Sequence, residues 1–183
     1  ELHAMPATHV ADVFVQPSFR RKDLTVDCQV QGAAGTRLRA SVSYEGKEVL
    51  KLAEVAVDKD GKARLQAPWA EPILWDLKQP RLLRLDAQLL DADGRVLDTQ
   101  PVRFGFRELW PEGNKLMLNG RPVKLRAYAM SNAHDVAAMS RAGTRARIRN
   151  AMRYGGIIKR HCGEWNLGFD AADEEGLLAA PYT

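Results

Sequence analysis

The stretch Leu24-Thr25-Val26-Asp27-Cys28-Gln29-Val30-Gln31 alternates apolar and polar residues without a break. Successive side chains of an extended chain point to opposite faces. This order therefore puts Leu24, Val26, Cys28 and Val30 on one face and Thr25, Asp27, Gln29 and Gln31 on the other. It predicts a strand with one side on a core and one side in water. Leu38, Ala40, Val42 and Tyr44 alternate in the same way with Arg37, Arg39, Ser41 and Ser43, and Leu83, Leu85, Ala87 and Leu89 with Arg84, Asp86 and Gln88.

Working outward, the pairs Glu45-Gly46, Asp60-Gly61 and Asp93-Gly94 fall between such runs. An acid that bonds to the turn backbone, followed by a glycine free to take positive φ, is a hairpin signal. Adding Val10 to Val15, Val49 to Val57, Ala63 to Ala67 and Arg95 to Phe104 gives about seven short strands, the number expected of an immunoglobulin-type antiparallel sandwich. There is no Cys-Trp-Cys spacing, so this is not an antibody-type domain. Ala67 to Pro80 interrupts the alternation with Pro68, Pro72, Pro80, Trp69 and Trp75, and reads as an irregular connection between strands.

A boundary is expected near Trp110 to Asn114, where Pro111 and Gly113 interrupt the chain. Beyond it the period changes. Asn119-Gly120 between apolar residues signals a tight hairpin, and Val123 to Tyr128 suits a continuing strand. Ser140 to Tyr154 reads as a helix with Ile148, Ala151 and Met152 on one side, ended by Gly155-Gly156. A short strand opens at Ile157 and Ile158, a helix over Phe169 to Glu175 stops at Gly176, and Leu177 to Ala180 is a third apolar strand. Strand, helix, strand, helix, strand implies βαβ units and a parallel sheet. Two such units and a strand cannot close an eight-stranded barrel, and their unfinished edges favour self-association.

Composition sets the frame. The 183 residues, 45% hydrophobic and 27% charged, suffice for one domain plus part of a second without disulfides or metal. No apolar run approaches the roughly 20 residues of a membrane helix, so no membrane association is expected. Glu1 to Pro6 lacks the basic start and apolar centre of a signal peptide, and the N-terminus reads as cut from something longer. Cys28 and Cys162 lie in different predicted domains and suggest neither a disulfide framework nor a zinc cluster. The composition assigns no compartment. The net charge of +4 is concentrated between Arg141 and Arg160. Arg141, Arg145, Arg149 and Arg153 recur every four residues and form one helical stripe. Without interleaved aromatics or a recognition motif, that stripe reads as the wet face of an outer helix, and no nucleic acid is expected. No P-loop, dinucleotide fingerprint, HExxH or Ser-His-Asp order is visible, and no cofactor is expected.

Five phrases in series carry a family resemblance: Val10-Ala11-Asp12-Val13-Phe14-Val15-Gln16-Pro17, the Pro68-Trp69 to Pro72 and Trp75 connection, Phe104-Gly105-Phe106-Arg107-Glu108, Leu118-Asn119-Gly120-Arg121-Pro122-Val123-Lys124-Leu125-Arg126, and Phe169-Asp170-Ala171-Ala172-Asp173-Glu174-Glu175-Gly176-Leu177-Leu178. Together they resemble the family 2 glycoside hydrolases, the group of β-galactosidases, β-glucuronidases and β-mannosidases. The chain departs from the family pattern at Ala127 to Met130, where a glycine and a polar turn are usual, and at Ile157, where asparagine is usual.

The resemblance implies a mainly β fold: an immunoglobulin-like antiparallel β-sandwich over 1–109, followed over 110–183 by a partial α/β segment, the first βα units of a TIM barrel. It implies a parent enzyme that hydrolyses β-linked glycosides or oligosaccharides with retention. Such enzymes use two carboxyl groups about 5 to 5.5 Å apart. In this family both lie on later barrel strands, so no catalytic residue is expected in this chain. Glu164, Asp170, Asp173, Glu174 and Glu175 read as solvated charges. Arg160 and His161, after a candidate barrel strand, are substrate-lining candidates, as are Trp165 and His134. Trp69, Trp75 and Trp110 read as anchors of connections rather than sugar platforms. The competing expectation is a stand-alone carbohydrate-binding or protein-interaction sandwich.

Overall fold

The computed structural model describes residues 6–32, 34–77, 79–124, 126–129, 140–155, 158–162 and 166–182. Each alternating run in the first part is a strand: β1 (His9–Ser18), β2 (Asp23–Gln31), β3 (Arg37–Tyr44), β4 (Lys47–Ala56), β5 (Lys62–Pro68), β6 (Leu83–Leu90) and β7 (Val96–Phe104). They form two antiparallel sheets, β1-β2-β5 and β4-β3-β6-β7, which is the expected sandwich. Register follows the pattern of burial. Val26 of β2 stands opposite Val15 of β1 and Leu65 of β5, and Val42 of β3 opposite Leu85 of β6.

The inward faces are the apolar ones. Leu24, Val26, Leu38, Val42, Leu65, Leu83, Leu85 and Leu89 are completely buried. A side chain of this size contributes about 1.5–3 kcal/mol when fully buried. The edge strand β4 buries Leu52 while Lys47, Glu48, Lys51 and Glu54 stay exposed. Charges along an edge discourage pairing with another sheet. The predicted turns appear where the acid-glycine pairs stand. Glu45 and Gly46 both take positive φ, 49° and 78°, as a type I′ hairpin requires.

Two compact units divide the chain. One comprises Glu1–Pro72 and Leu83–Glu108, the other Ile73–Leu82 and Leu109–Thr183. The Pro- and Trp-rich connection between β5 and β6 is thus shared. Trp69 belongs to the sandwich unit, where it meets Phe106 edge-on with ring centroids 5.4 Å apart. Ile73–Leu82 belongs to the other unit.

That second unit begins with a small antiparallel sheet in the order β10-β9-β8, made of β8 (Leu109–Glu112), β9 (Lys115–Leu118) and β10 (Arg121–Val123). Asn119 and Gly120, with φ 49° and 77°, make the β9–β10 turn. Pro111 lies within a strand, because β8 is an edge and an edge tolerates a residue without an N–H, while Gly113, at φ 58°, falls in the turn between β8 and β9. Then follow β11 (Ala127–Ala129), α1 (Arg141–Arg153), β12 (Ile158–Cys162), α2 (Asn166–Glu175) and β13 (Leu178–Tyr182). β11, β12 and β13 are parallel neighbours in that order. The strand expected over Val123 to Tyr128 is divided between β10 and β11.

Local chemistry explains the helix ends. Ser140 has extended φ and ψ, and its Oγ accepts a hydrogen bond from Gly143 N at 3.1 Å, an N-cap. Gly155, at φ 77°, follows the other end. Ile148 of α1 packs with Ala171 and Ala172 of α2 and with Leu177, and Met152 and Ala179 border the cluster.

Candidate functional site

Open parallel sheets bind ligands beyond the carboxyl ends of their strands, where the connecting loops gather. In the second unit this is the end of β12 that carries two predicted residues. Arg160 pairs with Ala129 of β11 and Ala180 of β13, and His161 with Pro181. Both therefore stand on the central strand of the three. Trp165 and His134, the other two candidates, lie outside the described residues, as does Glu164.

The arginine stripe of α1 and the acids of α2 come together. Arg141 pairs with Glu174. Arg145 Nε lies 2.6 Å from Glu175 Oε1 and its NH1 3.6 Å from Glu174 Oε2. Arg149 Nε and NH2 reach the two Glu175 oxygens at 2.8 and 2.9 Å. The side chains of Glu174 and Glu175 are 11% and 12% exposed, so these acids are not the solvated charges expected. The pattern every four residues gives the stripe its direction, and Glu174-Glu175 one helix later supply its counter-charge. Asp170 is exposed and Asp173 half-buried on the same helix.

A general acid that works near neutral pH needs its pKa raised. Among the described residues, the carboxyls with a resolved shift move the other way. The Arg149 hydrogen bond holds Glu175 below the ordinary value of 4.5, with Arg145 adding to it against partial desolvation. Asp27 on β2 is lowered chiefly by the hydrogen bonds from Arg64, at 2.6 and 2.8 Å. At Glu108 burial works upward, but hydrogen bonds from the Arg20 amide, the Arg20 guanidinium and the Ser18 hydroxyl outweigh it. All three are built to stay ionised and accept hydrogen bonds.

Trp69 is 8% exposed and Trp75 fully buried, so neither presents a face to a sugar. Trp110 is half-buried on β8. One aromatic that sequence patterning did not single out is Phe14, 62% exposed on β1. It borders an open depression of about 550 Å³ over the outer face of the β1-β2-β5 sheet. The polar groups there are largely committed to neighbours on the same face: Asp27 to Arg64 and Gln16, Gln29 to the Asp60 carbonyl, and Asp58 to the amides of Asp60 and Lys62. Phe14 stands outside because a bulge between Val10 and Asp12 shifts the inside-outside phase along β1, and the unbroken apolar run Val13-Phe14-Val15 carries no alternation that would have shown it. Among the described residues, no cluster of three His, Cys, Asp or Glu is placed to hold a metal, and no helix is long and apolar enough to cross a membrane.

Comparison with known proteins gives this geometry a context. The sequence model of the glycosyl hydrolases family 2 matches residues 8–107. A β-galactosidase of Aeromonas hydrophila subsp. hydrophila is 30% identical over 145 residues, which span 73% of this chain but 14% of that protein. The solved Bifidobacterium dentium β-glucuronidase, complexed with coumarin-3-O-glucuronide, superposes with a TM-score of 0.79 at 19% identity, over 95% of this chain and 30% of that one. The apo structure of Bacteroides uniformis β-glucuronidase 3 gives 0.74 at 24%, over 97% and 23%. The structural likeness at these identities is one of fold.

Proposed function

This chain belongs to glycosyl hydrolase family 2, and from that premise we propose that the protein containing it hydrolyses β-linked glycosides with retention at the anomeric carbon. In this reading 1–109 is a non-catalytic spacer and 110–183 opens the barrel that performs the chemistry. The observation that carries it is the order of parts. A family match over 8–107 is followed by parallel strands β11, β12 and β13 with a helix in each crossover. A (β/α)8 barrel starts in this way, and its active site forms at the carboxyl ends of the strands.

Retention needs an acid/base and a nucleophile about 5 to 5.5 Å apart, the first with a raised pKa. Glu108, Asp27 and Glu175 have lowered pKa values and bonded oxygens, which suits ion pairing rather than proton donation. As the family resemblance implies, the proposal assigns the working pair to later barrel strands of such an enzyme, outside the 14% of the Aeromonas relative that this chain matches. Arg160 and His161 are assigned to the rim of the sugar site, where a guanidinium and an imidazole hydrogen-bond hydroxyl or carboxylate groups of the glycoside. His134 and Trp165 complete that assignment.

The test uses chromogenic β-galactoside, β-glucuronide and β-mannoside. The 183-residue chain is expected to turn over none of them. Turnover by this chain would place a working carboxyl pair within it and overturn the proposal. In the whole protein, Arg160→Ala and His161→Ala are expected to raise KM for the cognate glycoside by about tenfold each, the scale of one lost hydrogen bond to a charged group. Unchanged KM in both would remove them from the site.

A further inference from the structure

The segment Ile73–Leu82 leaves the sandwich after β5 and returns to it at β6, yet it is counted with the α/β unit. A surface connection between strands exposes its side chains and satisfies its backbone with water. This one does neither at its centre. Trp75 has no exposed surface and packs with Leu118 and Leu178, with Leu77, Leu82 and Val123 around them.

Polar contacts fix the segment in that position. The indole Nε1 of Trp75 donates to the carbonyl of Asp173 at 2.7 Å. Asp173 lies in the last turn of α2, whose final carbonyls have no partner within the helix. The indole thus caps α2 from outside the helix. In the other direction, Asn119 Nδ2 at the β9–β10 turn donates to the Trp75 carbonyl at 2.8 Å, and Asn119 is itself buried. Asp76 forms an ion pair with Arg121 of β10. Asp76 and Gln79 exchange backbone hydrogen bonds of 3.0 Å, which closes the segment on itself.

Gly176 shows how closely the two backbones approach. It has φ 81°, and a Cβ built there would stand 2.5 Å from the Leu77 carbonyl oxygen. The glycine that ends α2 therefore has two roles: it takes the left-handed conformation, and it leaves room for the backbone of the segment.

We infer that Ile73–Leu82 is the clasp of the α/β unit: α2, β13 and the β9–β10 hairpin keep their mutual arrangement only while Trp75 is seated among them. The interaction surface is the end of α2, Leu118 and Asn119 of the hairpin, and Leu178, and its occupant is the chain's own β5–β6 connection. A cut at the junction after Glu108 therefore leaves the α/β unit without a core residue and without a helix cap. This inference is independent of any hydrolytic activity.

Amide hydrogen exchange on the full chain tests it. Trp75→Ala is expected to raise exchange in 168–180 and 116–123 by at least about tenfold, while amides of β2, β3 and β6 change by less than about twofold. Gly176→Ala, which displaces the Leu77 carbonyl but leaves Trp75 intact, is expected to give the same regional pattern. Trp75→Phe, which keeps a ring but loses the N–H, should raise exchange mainly at the end of α2. Protection of α2 and β13 that survives Trp75→Ala overturns the clasp. An equal loss of protection in both units with Gly176→Ala overturns it as well.

Discussion

Glu108, the last residue of the Phe-Gly-Phe-Arg-Glu phrase, takes hydrogen bonds from Arg20 on both of its oxygens. The Arg20 Nε lies 2.6 Å from Oε1, the Arg20 backbone N lies 3.0 Å from Oε2, and the Ser18 hydroxyl reaches Oε2 at 3.1 Å. One carboxylate thus ties the turn after β1 to the end of the sandwich unit. Glu108→Ala leaves the Arg20 amide and the Ser18 hydroxyl without their acceptor. It is expected to lower the stability of the sandwich by about 2 kcal/mol, the scale of charge-assisted hydrogen bonds. Arg20→Ala should cost less, because that side chain is 59% exposed and solvent already screens it. Urea unfolding of the two variants measures the difference, and the reverse order would show that the guanidinium rather than the carboxylate carries the contact.

Acid should loosen α1 from α2. The folded Glu175 carboxyl lies below its ordinary 4.5 because of Arg149 and Arg145. A lowered carboxyl pKa contributes stability that is complete above the unfolded value and is lost as pH falls through the folded one. Protection of α1 and α2 amides is therefore expected to be constant from neutral pH to about pH 5 and to decline below about 4.5. Glu175→Gln should flatten this decline. Because Arg149 is 59% and Arg145 38% exposed, 1 M salt should weaken the same protection severalfold. A pH profile identical in wild type and Glu175→Gln would exclude this pair as its source.

The strands were legible because each buries one face. Leu24 to Val30 and Leu83 to Leu89 announce their inside by alternation alone, and Ser140 marks the start of α1 by its chemistry as an N-cap. Contacts between distant segments were not legible in the same way. The spacing of Arg141, Arg145 and Arg149 gives one side of a helix, but their glutamate partners lie 26 to 33 residues onward, on a second helix that follows the intervening strand β12. Trp75 lies in a proline-rich stretch without periodicity, so nothing local says that it is buried 98 residues away against Asp173. Of the candidate site, Arg160 and His161 were expected just after a short strand opening at Ile157 and Ile158, whereas β12 runs on to Cys162 and takes both into the strand.

Cys28 should report opening of the sandwich. Burial, with Asp27 and Asp12 nearby, pushes its thiol up to about 12. The thiolate is the reactive form, so at pH 8 only about 10⁻⁴ of it is available, against about a quarter for a free cysteine. In a Cys162→Ser background, alkylation of the folded chain is expected to be at least about 1,000-fold slower than that of a free thiol. Its rate should also rise about tenfold per pH unit from 8 to 10 without a plateau, provided the fold holds. A plateau near pH 9, followed by mass spectrometry, would mean that the reacting thiol is already in water.

Gly46 and Gly61 offer a controlled comparison, since they share a backbone conformation and differ in surroundings. Their φ values are 78° and 76°, so alanine at either position carries the left-handed penalty of about 1–2 kcal/mol, partly offset by a less flexible unfolded chain. Around Gly46 a Cβ meets nothing within 4 Å. At Gly61 it would stand 2.4 Å from the Val30 carbonyl oxygen and 2.8 Å from Gln29 Nε2. The first of these is backbone of the central strand β2 and cannot swing aside. The approach is also needed, because Val30 N donates to the Gly61 carbonyl at 2.7 Å and Gly61 N to Asp58 at 3.0 Å. Relieving the clash means breaking the turn that joins β4 to β5. Gly46→Ala is therefore expected to cost about 1 kcal/mol and Gly61→Ala about 3 kcal/mol or more. Both are measured by urea unfolding with the same tryptophan probe, and equal losses would show that backbone strain, not the approach to β2, sets the requirement for glycine at position 61.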